Sequence, residues 1–156
     1  MRFSEQFIFV PVFEALDTQA GIDGQSINMG KLHTVCFPLN FGAVTGDAVL
    51  KFYSGATDGT KTTALAFNYR LSSGVYKAAS ADLYGAVTAV ASTGLTLTAA
   101  TFTTKTMIVE FDATQMTAGE PWLTAELSAA ASVLLTACVA IGQPRYQSNT
   151  GTTTVA

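Results

Sequence analysis

The first half of the chain contains two stretches in which apolar and polar residues alternate. In residues 34–41 the apolar side chains occupy every second position, at Val35, Phe37, Leu39 and Phe41. Residues 65–71 repeat the pattern with Leu65, Phe67, Tyr69 and Leu71. Because successive side chains of a strand point to opposite faces, a period of two predicts β-strands that bury one face.

A third stretch lies between these two and completes a three-strand region over residues 33–71. Residues 48–54 are rich in aliphatic and aromatic side chains, and turn-forming residues flank them at 42–47 and 55–59. Segments rich in glycine, aspartate and threonine suit the backbone angles of turns. The region therefore predicts three successive strands, at 34–41, 48–54 and 64–71, around which the rest of the chain is organised.

Shorter strand patterns follow along the rest of the chain. They fall at residues 7–13, 25–29, 75–77, 86–91, 94–97, 106–112, 122–127 and 132–141, with loops at 14–24 and 112–120. Pro11 removes one backbone donor from the first of these strands, which indicates an edge strand or a bulge. Residues 78–84 fit either a single helical turn or a loop.

Helix and strand patterns compete in the segment 124–140. Its alanine and leucine content favours a helix, whereas Val133, Thr136 and Val139 are β-branched and no polar stripe follows a period of about 3.6 residues. We predict two strands there. Turn signals about every 8–12 residues, with no alternating helical segments and no fixed repeat, then indicate an all-β fold.

The expected architecture is a single antiparallel β-sandwich, jelly-roll-like, over residues 1–142. A polar tail follows at 143–156, and we expect it to be mobile or bound along a partner.

Composition adds information about the surface. Hydrophobic residues make up 49% of the chain and charged residues 12%, about half the usual charged share, with a net charge of -3. Much of the surface must then consist of alanine, threonine, serine and glycine. Such a surface favours a protein that is in contact with other proteins, and a monomer with a neutral, hydroxyl-rich surface is the alternative.

Charge and cysteine usage exclude several classes of partner. The basic residues are scattered, whereas phosphate recognition needs them clustered, so we expect no nucleic-acid partner. Cys36 and Cys138 lie in separate strand patterns and predict two buried free thiols in a reducing cytoplasm.

Pro11 splits the short N-terminal apolar run, and no run reaches the roughly 20 residues of a membrane helix. We therefore expect a soluble protein with no signal peptide and no membrane partner.

No residue pattern predicts catalysis. His33 is the only histidine, so neither a multi-ligand metal site nor a catalytic triad is expected around it. Residues 55–62 resemble a phosphate-binding loop, but Thr60 separates Gly59 from Lys61, where the motif requires glycine and lysine to be adjacent. We expect a polar hairpin loop there, no enzyme activity, and no metal or other cofactor.

Three further residues have two interpretations each. Glu110 and Asp112 lie two positions apart on one strand face, where they form either a solvated face or a glycosidase-like carboxylate pair, and the first is simpler. Trp122 is the single tryptophan. It fits the core or rim of a sandwich, or else a sugar-stacking platform.

Four segments together resemble a known protein family. They are SINMGKLHTVCFPLNF, TGDAVLKFYSGATDGTKTTALAFNYR, MIVEFDATQM and WLTAELS, which span about residues 21–128. Their strand and turn pattern is similar to that of the small head-decoration, or cement, proteins of tailed bacteriophages. The resemblance implies an all-β, often jelly-roll-like virion structural protein that binds the outer surface of the assembled capsid and bridges major capsid subunits.

The same resemblance implies the phage major capsid protein as partner, self-association as a dimer or trimer, and assembly in the host cytoplasm. It supplies no catalytic, cofactor-binding or metal-binding residues. We expect the terminal segments to contact the capsid, through Arg2, Phe3, Arg145, Tyr146, Gln147 and Asn149. The alternative from another class is a carbohydrate- or receptor-binding jelly-roll module of a phage tail or fibre, with an exposed aromatic platform around Trp122 or Tyr146.

Overall fold

The computed structural model of the chain describes residues 2–17, 20–129, 134–146 and 153–155. The strands in these ranges are β1 (Ile8–Asp17), β2 (Ile22–Asp23), β3 (Ile27–Asn28), β4 (Leu32–Val44), β5 (Ala48–Gly55), β6 (Thr63–Leu65), β7 (Phe67–Leu71), β8 (Thr88–Val90), β9 (Leu95–Leu97), β10 (Thr106–Asp112), β11 (Trp122–Leu127) and β12 (Leu134–Pro144). The short helices are α1 (Phe3–Gln6) and α2 (Ala99–Phe102), and the 3₁₀ turns are η1 (Met29–Lys31) and η2 (Ala113–Gln115).

The described strands form two antiparallel sheets. Sheet A has the order β1-β12-β4-β10-β7-β8, and sheet B has the order β2-β11-β5-β6, with β3 also paired to β11 and β9 to β5. The pairs are nested along the chain: β1 with β12, β2 and β3 with β11, β4 with β10, and β5 with β6. Nested antiparallel pairs distributed over two sheets are the arrangement of a jelly roll. The prediction of an all-β, jelly-roll-like sandwich is thus confirmed.

The inward-facing side chains of the two sheets form a core rich in aromatic rings. The alternating residues of β4 are buried as predicted: Val35, Phe37, Leu39 and Phe41. Phe52 of sheet B packs against three phenylalanine rings of sheet A. Its ring centroid lies 5.2 Å from that of Phe37, 5.0 Å from that of Phe67 and 4.9 Å from that of Phe111. These rings join the two sheets.

The predicted strand 64–71 is divided between the two sheets, which corrects the sequence-based assignment. β6 pairs with β5 in sheet B, whereas β7 pairs with β10 in sheet A. The exposed Ala66 lies at the corner between them, and Leu65 and Phe67 remain buried on either side. A period of two in the sequence shows which side chains face the core. Because both sheets face the same core, that period does not show where the chain passes from one sheet to the other.

The region between β7 and β10 also differs from the prediction. The predicted strand at 75–77 is absent, and residues 72–87 form a loop of successive turns, so the loop alternative holds for 78–84. The predicted strands at 86–91 and 94–97 shorten to β8 and β9, and β9 pairs with β5 in the other sheet. Serine, glycine and alanine fit turns and short strands equally well, so the local pattern does not separate the two.

Several predicted strand boundaries move outward. The predicted loop 14–24 contains the end of β1 and the short strand β2, and β4 is longer than the predicted 34–41. The strand interpretation of 124–140 is confirmed by β11 and β12, which pair with β5 and β4. β12 ends at Pro144, beyond the predicted domain boundary at 142. Residues 132–133 of the predicted strand lie outside the described residues.

The last described residues return to the body of the domain. The backbone N–H of Asn28 donates to the carbonyl of Thr154 at 2.8 Å, and the Lys31 ammonium donates to the carbonyl of Thr153 at 2.6 Å. Thr154 is buried, and Val155 packs against the core. Within the predicted tail, residues 153–155 are therefore bound to the chain's own fold.

Candidate interaction surface

Two neighbouring rows on the outer face of sheet A are apolar across its first three strands, and polar residues such as Gln143, Thr34 and Asn40 lie beyond them. One row across the sheet places Phe9 of β1 opposite Ile141 of β12, which in turn lies opposite Cys36 of β4. The row ends in the polar residues Glu110 of β10 and Asn68 of β7. Since alternate residues of a strand share a face, these side chains all point away from the core.

The neighbouring row continues this apolar band. Pro11 of β1 lies opposite Val139 of β12. Pro38 of β4 lies opposite Ile108 of β10, which also pairs with Arg70 of β7. Val139 is 45% exposed although it lies on an inner strand of the sheet. The apolar band therefore runs from β1 to β4 in the first row and from β1 to β10 in the second, and it becomes polar at Glu110 and at Arg70.

Helix α1 lies beside this band and forms a groove with it. The Phe3 ring centroid lies 4.4 Å from that of Phe7 and 5.8 Å from that of Phe9, so an aromatic group extends from the helix to β1. Phe3 is 56% exposed. The groove has a volume of about 530 Å³, and its walls include Phe3, Phe7, Ile141 and Gln143.

The outer face of sheet B combines charged and hydroxyl side chains with the partly exposed Val49, Tyr53 and Trp122, and the hairpin loop 55–62 lies over it. The Lys61 ammonium donates to Asp23 Oδ1 at 2.8 Å and also to Glu126 Oε2. The hydrogen bonds to these two carboxylates raise the pKa of Lys61. The lysine of the loop that resembles a phosphate-binding loop is therefore engaged within the protein.

A second contact holds the same hairpin loop on sheet B. The backbone N–H of Gly59 donates to Ser26 Oγ at 3.0 Å, and the hydroxyl oxygens of Ser26 and Thr124 are 2.6 Å apart. Thr124 alternates with the inward-facing residues of β11 and is nevertheless buried. The loop thus covers part of sheet B with hydrogen-bonded polar groups.

The two outer faces differ in their exposed apolar residues. Among the described residues, the exposed large apolar side chains are Phe3, Phe9, Val75, Tyr76, Leu83, Val87, Val139 and Tyr146. Phe9 and Val139 belong to strands of sheet A and none of the eight belongs to a strand of sheet B, while four lie in residues 72–87 between β7 and β8. Extended apolar exposure on one side of a domain indicates a surface for binding. We define the sheet A surface by the side chains of Phe3, Phe7, Phe9, Cys36, Pro38, Ile108, Val139 and Ile141.

Two of the predicted contact residues, Arg2 and Phe3, lie at the N-terminal end of this surface. The exposed Arg2 precedes α1, and its backbone N–H donates to Glu5 Oε2 at 3.0 Å. Phe3 shares the groove with Gln143, which is close to the end of β12. The N-terminal segment is thus brought next to the last strand.

Arg145 and Tyr146 follow β12 directly, and Tyr146 is 65% exposed. Asp112 lines the groove, and Arg145 is its neighbour. Hydrogen bonds from Thr114 lower the pKa of the Asp112 carboxyl group, and the nearby His33 and Arg145 lower that pKa as well. Four predicted contact residues therefore lie around one end of sheet A. The other two, Gln147 and Asn149, lie outside the described residues.

The strand residues of the sheet A surface were not among the predicted contact residues. A signal for them exists, because residues 7–13 are apolar at every position. A strand with one solvated face needs apolar residues on its buried face alone. An apolar second face, as at Phe9 and Pro11, therefore marks an additional contact.

Of the remaining candidates for chemistry, Glu110 and Asp112 line the same groove of sheet A, whereas Trp122 lies apart from them in sheet B. His33, Glu110 and Asp112 are exposed on sheet A, and Trp122 is partly exposed at the start of β11 in sheet B. In the part of the chain that the structure describes, no three His, Cys, Asp or Glu side chains are grouped so that they could hold a metal ion. No helix in that part is long and apolar enough to cross a bilayer.

The two cysteines lie on opposite faces of sheet A, and both are free thiols as predicted, but the prediction that both are buried is wrong for Cys36. Cys138 is buried opposite Leu39, whereas Cys36 faces outward opposite Ile141 and is partly exposed. Burial raises the pKa of the Cys36 thiol to about 11, and the charge of Glu110 adds to the rise. Burial also raises the pKa of Cys138, to about 12.

We expect Cys36 to react slowly with thiol reagents in the folded protein. Near pH 8, a rise in thiol pKa from 9.0 to about 11 lowers the reactive thiolate fraction about 100-fold. Alkylation by iodoacetamide, followed by peptide mapping of folded and denatured protein, measures this for each cysteine. Glu110→Gln should speed alkylation of Cys36 and leave Cys138 unchanged. Equal rates for Cys36 in the folded and denatured chains would contradict the expectation.

Comparison with known proteins gives no match: no protein-family model fits the chain, and no curated protein or solved structure is significantly similar to it. A function is therefore inferred from the residues of the sheet A surface and from the resemblance of residues 21–128.

Proposed function

We propose that the chain is a tailed-bacteriophage capsid decoration protein that binds the outer surface of the assembled head and bridges major capsid subunits. The observation that carries the proposal is the difference between the two outer faces. Sheet A exposes the apolar sheet A surface, whereas sheet B carries the cluster of Lys61, Asp23 and Glu126. The jelly-roll fold and the resemblance of residues 21–128 to cement proteins support the same function.

In this proposal sheet A faces the capsid and sheet B faces solvent. Burying apolar surface contributes about 25 cal/mol per Å². Phe3, Phe9 and Val139 gain this free energy only when a partner covers them. Arg2, Arg145 and Tyr146 lie at one end of the apolar area and supply polar contacts at its rim, as is usual for protein interfaces.

The mechanism is stabilisation by binding. A protein that binds the assembled shell and not its separated subunits adds its binding free energy to the stability of the shell. A copy that contacts two neighbouring subunits resists their separation. Many weak contacts of this kind act together on a symmetric lattice, and the mechanism needs no catalytic group.

Cryo-electron microscopy of virions that contain this protein tests the proposal. We expect on the order of hundreds of copies in a regular array over the head, as multivalent binding to a symmetric shell requires, with sheet A against the capsid. A few copies confined to the tail or its fibres would contradict the decoration function.

A location at the tail would instead support a carbohydrate- or receptor-binding module. One observation favours this second function: Tyr146 is 65% exposed, as a sugar-stacking ring requires. The isolated protein would then bind oligosaccharides in titration calorimetry, and Tyr146→Ala would remove that binding.

A further inference from the structure

The loop between β7 and β8, residues 72–87, is closed by hydrogen bonds of its own. The backbone N–H of Ser73 donates to the carbonyl of Leu83 at 2.7 Å, and the N–H of Gly74 donates to the carbonyl of Ser80 at 3.1 Å. These bonds bring the two arms of the loop together. Compact loops of this length, with their ends close together, are frequently functional.

Further hydrogen bonds fix the loop to the turn before β10 and to β7 of sheet A. The backbone N–H of Tyr76 donates to the carbonyl of Thr104 at 3.0 Å. The guanidinium of Arg70 donates to the carbonyl of Gly85 at 2.9 Å and to the carbonyl of Tyr84 at 3.3 Å. The loop therefore has a defined position, and the side chains it exposes form a defined surface.

This loop exposes large apolar side chains. Leu83 is 59% exposed and Val87 is 64% exposed, and Val75 and Tyr76 are exposed as well. The loop supplies half of the exposed large apolar residues in the described part of the chain. Because hydrogen bonds hold the backbone in place, this exposure indicates a contact with another protein.

The loop also carries one positive and one negative side chain, Lys77 and Asp82, both exposed. Neither belongs to an ion pair within the described residues. Lys77 has a φ of 67°, in the left-handed region that disfavours residues with a side chain. Such a backbone position persists where the surrounding structure imposes it, so the loop holds Lys77 in one backbone conformation.

We propose that the loop 72–87 binds the same loop of a second copy of this chain about a two-fold axis. In a two-fold contact, when one residue of the first copy meets a second residue of the partner, the same pair also forms with the copies exchanged. Lys77 of each copy therefore pairs with Asp82 of the partner subunit, which gives two ion pairs. The apolar part of the contact comes from Val75, Tyr76, Leu83 and Val87. A second copy fits this surface because one charge of each sign makes the loop complementary to itself.

The contact is weak in solution. Four half-exposed side chains on each of two copies bury roughly 600 Å² in total, taking about 150 Å² per large side chain, whereas stable interfaces bury about 1,200 Å² or more. On a shell that holds neighbours side by side, the high effective concentration favours the contact. That role on the shell rests on the proposed function, but the contact itself can be measured without a shell.

Spectra of ¹⁵N-labelled protein from micromolar to millimolar concentration, with sedimentation at the same concentrations, test the contact. We expect the amide signals of residues 72–87 to shift with concentration, and Leu83→Ser to abolish the shift in a protein that still folds. Lys77→Asp and Asp82→Lys each place like charges across the axis and should weaken self-association about tenfold.

The double variant Lys77→Asp/Asp82→Lys should restore association, because it reverses both charges and because aspartate tolerates a positive φ. Asp58→Lys is the matched control, since it makes the same charge change at an exposed position of the hairpin loop on sheet B. It should leave self-association unchanged.

Several results overturn this proposal. They are the absence of any concentration-dependent shift, shifts confined to the sheet A surface, or a double variant as weak as the single ones. A loop that is inert toward itself but required for capsid binding also overturns it, because the partner is then the capsid. If the unmodified protein self-associates but does not bind capsids, that result counts against the proposed function alone.

Discussion

Phe52→Ala is expected to lower the free energy of unfolding by about 4 kcal/mol, within the range of about 3–5 kcal/mol for a buried phenylalanine. Phe52 is fully buried, and it packs against the rings of Phe37, Phe67 and Phe111 from the opposite sheet. The substitution removes the ring's transfer free energy and leaves a cavity between rigid strands. Urea denaturation, followed by the fluorescence of Trp122, measures the change, and the melting temperature should fall by roughly 8–16 °C.

Phe3→Ala is the matched control for this experiment. The same ring is removed, but from a position that is 56% exposed, so we expect a loss of less than about 1 kcal/mol. Two results would show that the ring cluster does not join the two sheets. One is an equal loss of unfolding free energy in both variants, and the other is a Phe52→Ala protein as stable as the parent.

Val139→Lys is expected to reduce binding to capsids at least about 30-fold, because an unpaired charge buried in an interface costs roughly 2–5 kcal/mol. Val139 lies on an inner strand of sheet A with its side chain in the apolar band, 45% exposed in the isolated protein. In solution the lysine can extend into water, so stability should change by less than about 1 kcal/mol. Cosedimentation with capsids that lack the protein measures the binding.

Thr96→Lys provides the control on the other face. Thr96 is exposed on β9 of sheet B and pairs with Val49, and the substitution adds the same charge. We expect it to bind capsids like the parent protein. Equal losses for both variants would point to net charge as the cause, and full binding by Val139→Lys would exclude the sheet A surface as the capsid contact.

The fold class could be predicted because each strand of the sandwich has one buried face. The alternation in residues 34–41 and 106–112 records that face directly. The corner at Ala66 could not be predicted, since Leu65 and Phe67 face the core whether the chain stays in one sheet or enters the second. Strand order depends on pairs such as Ile8 with Gly142, which no local pattern reports.

Part of the candidate surface could also be predicted. The chain ends were expected to be contact residues, and Phe3 and Arg145 do lie near one end of sheet A. The rest of the surface depends on the fold, because its neighbours Phe9, Ile141 and Cys36 come from three strands that are far apart in the sequence. Capsid binding by Gln147 and Asn149 stays a prediction.

The pairing of β1 with β12 has a consequence for folding. β1 begins at Ile8, and its partner β12 begins at Leu134, so sheet A cannot be completed while the chain is being synthesised up to that point. Pairs so distant in sequence must close a long loop before they gain stability, which makes folding slow compared with helical proteins. Until β12 arrives, β4 has an unpaired edge that can bind another growing chain. Rapid synthesis from a strongly expressed message would therefore favour aggregation over folding.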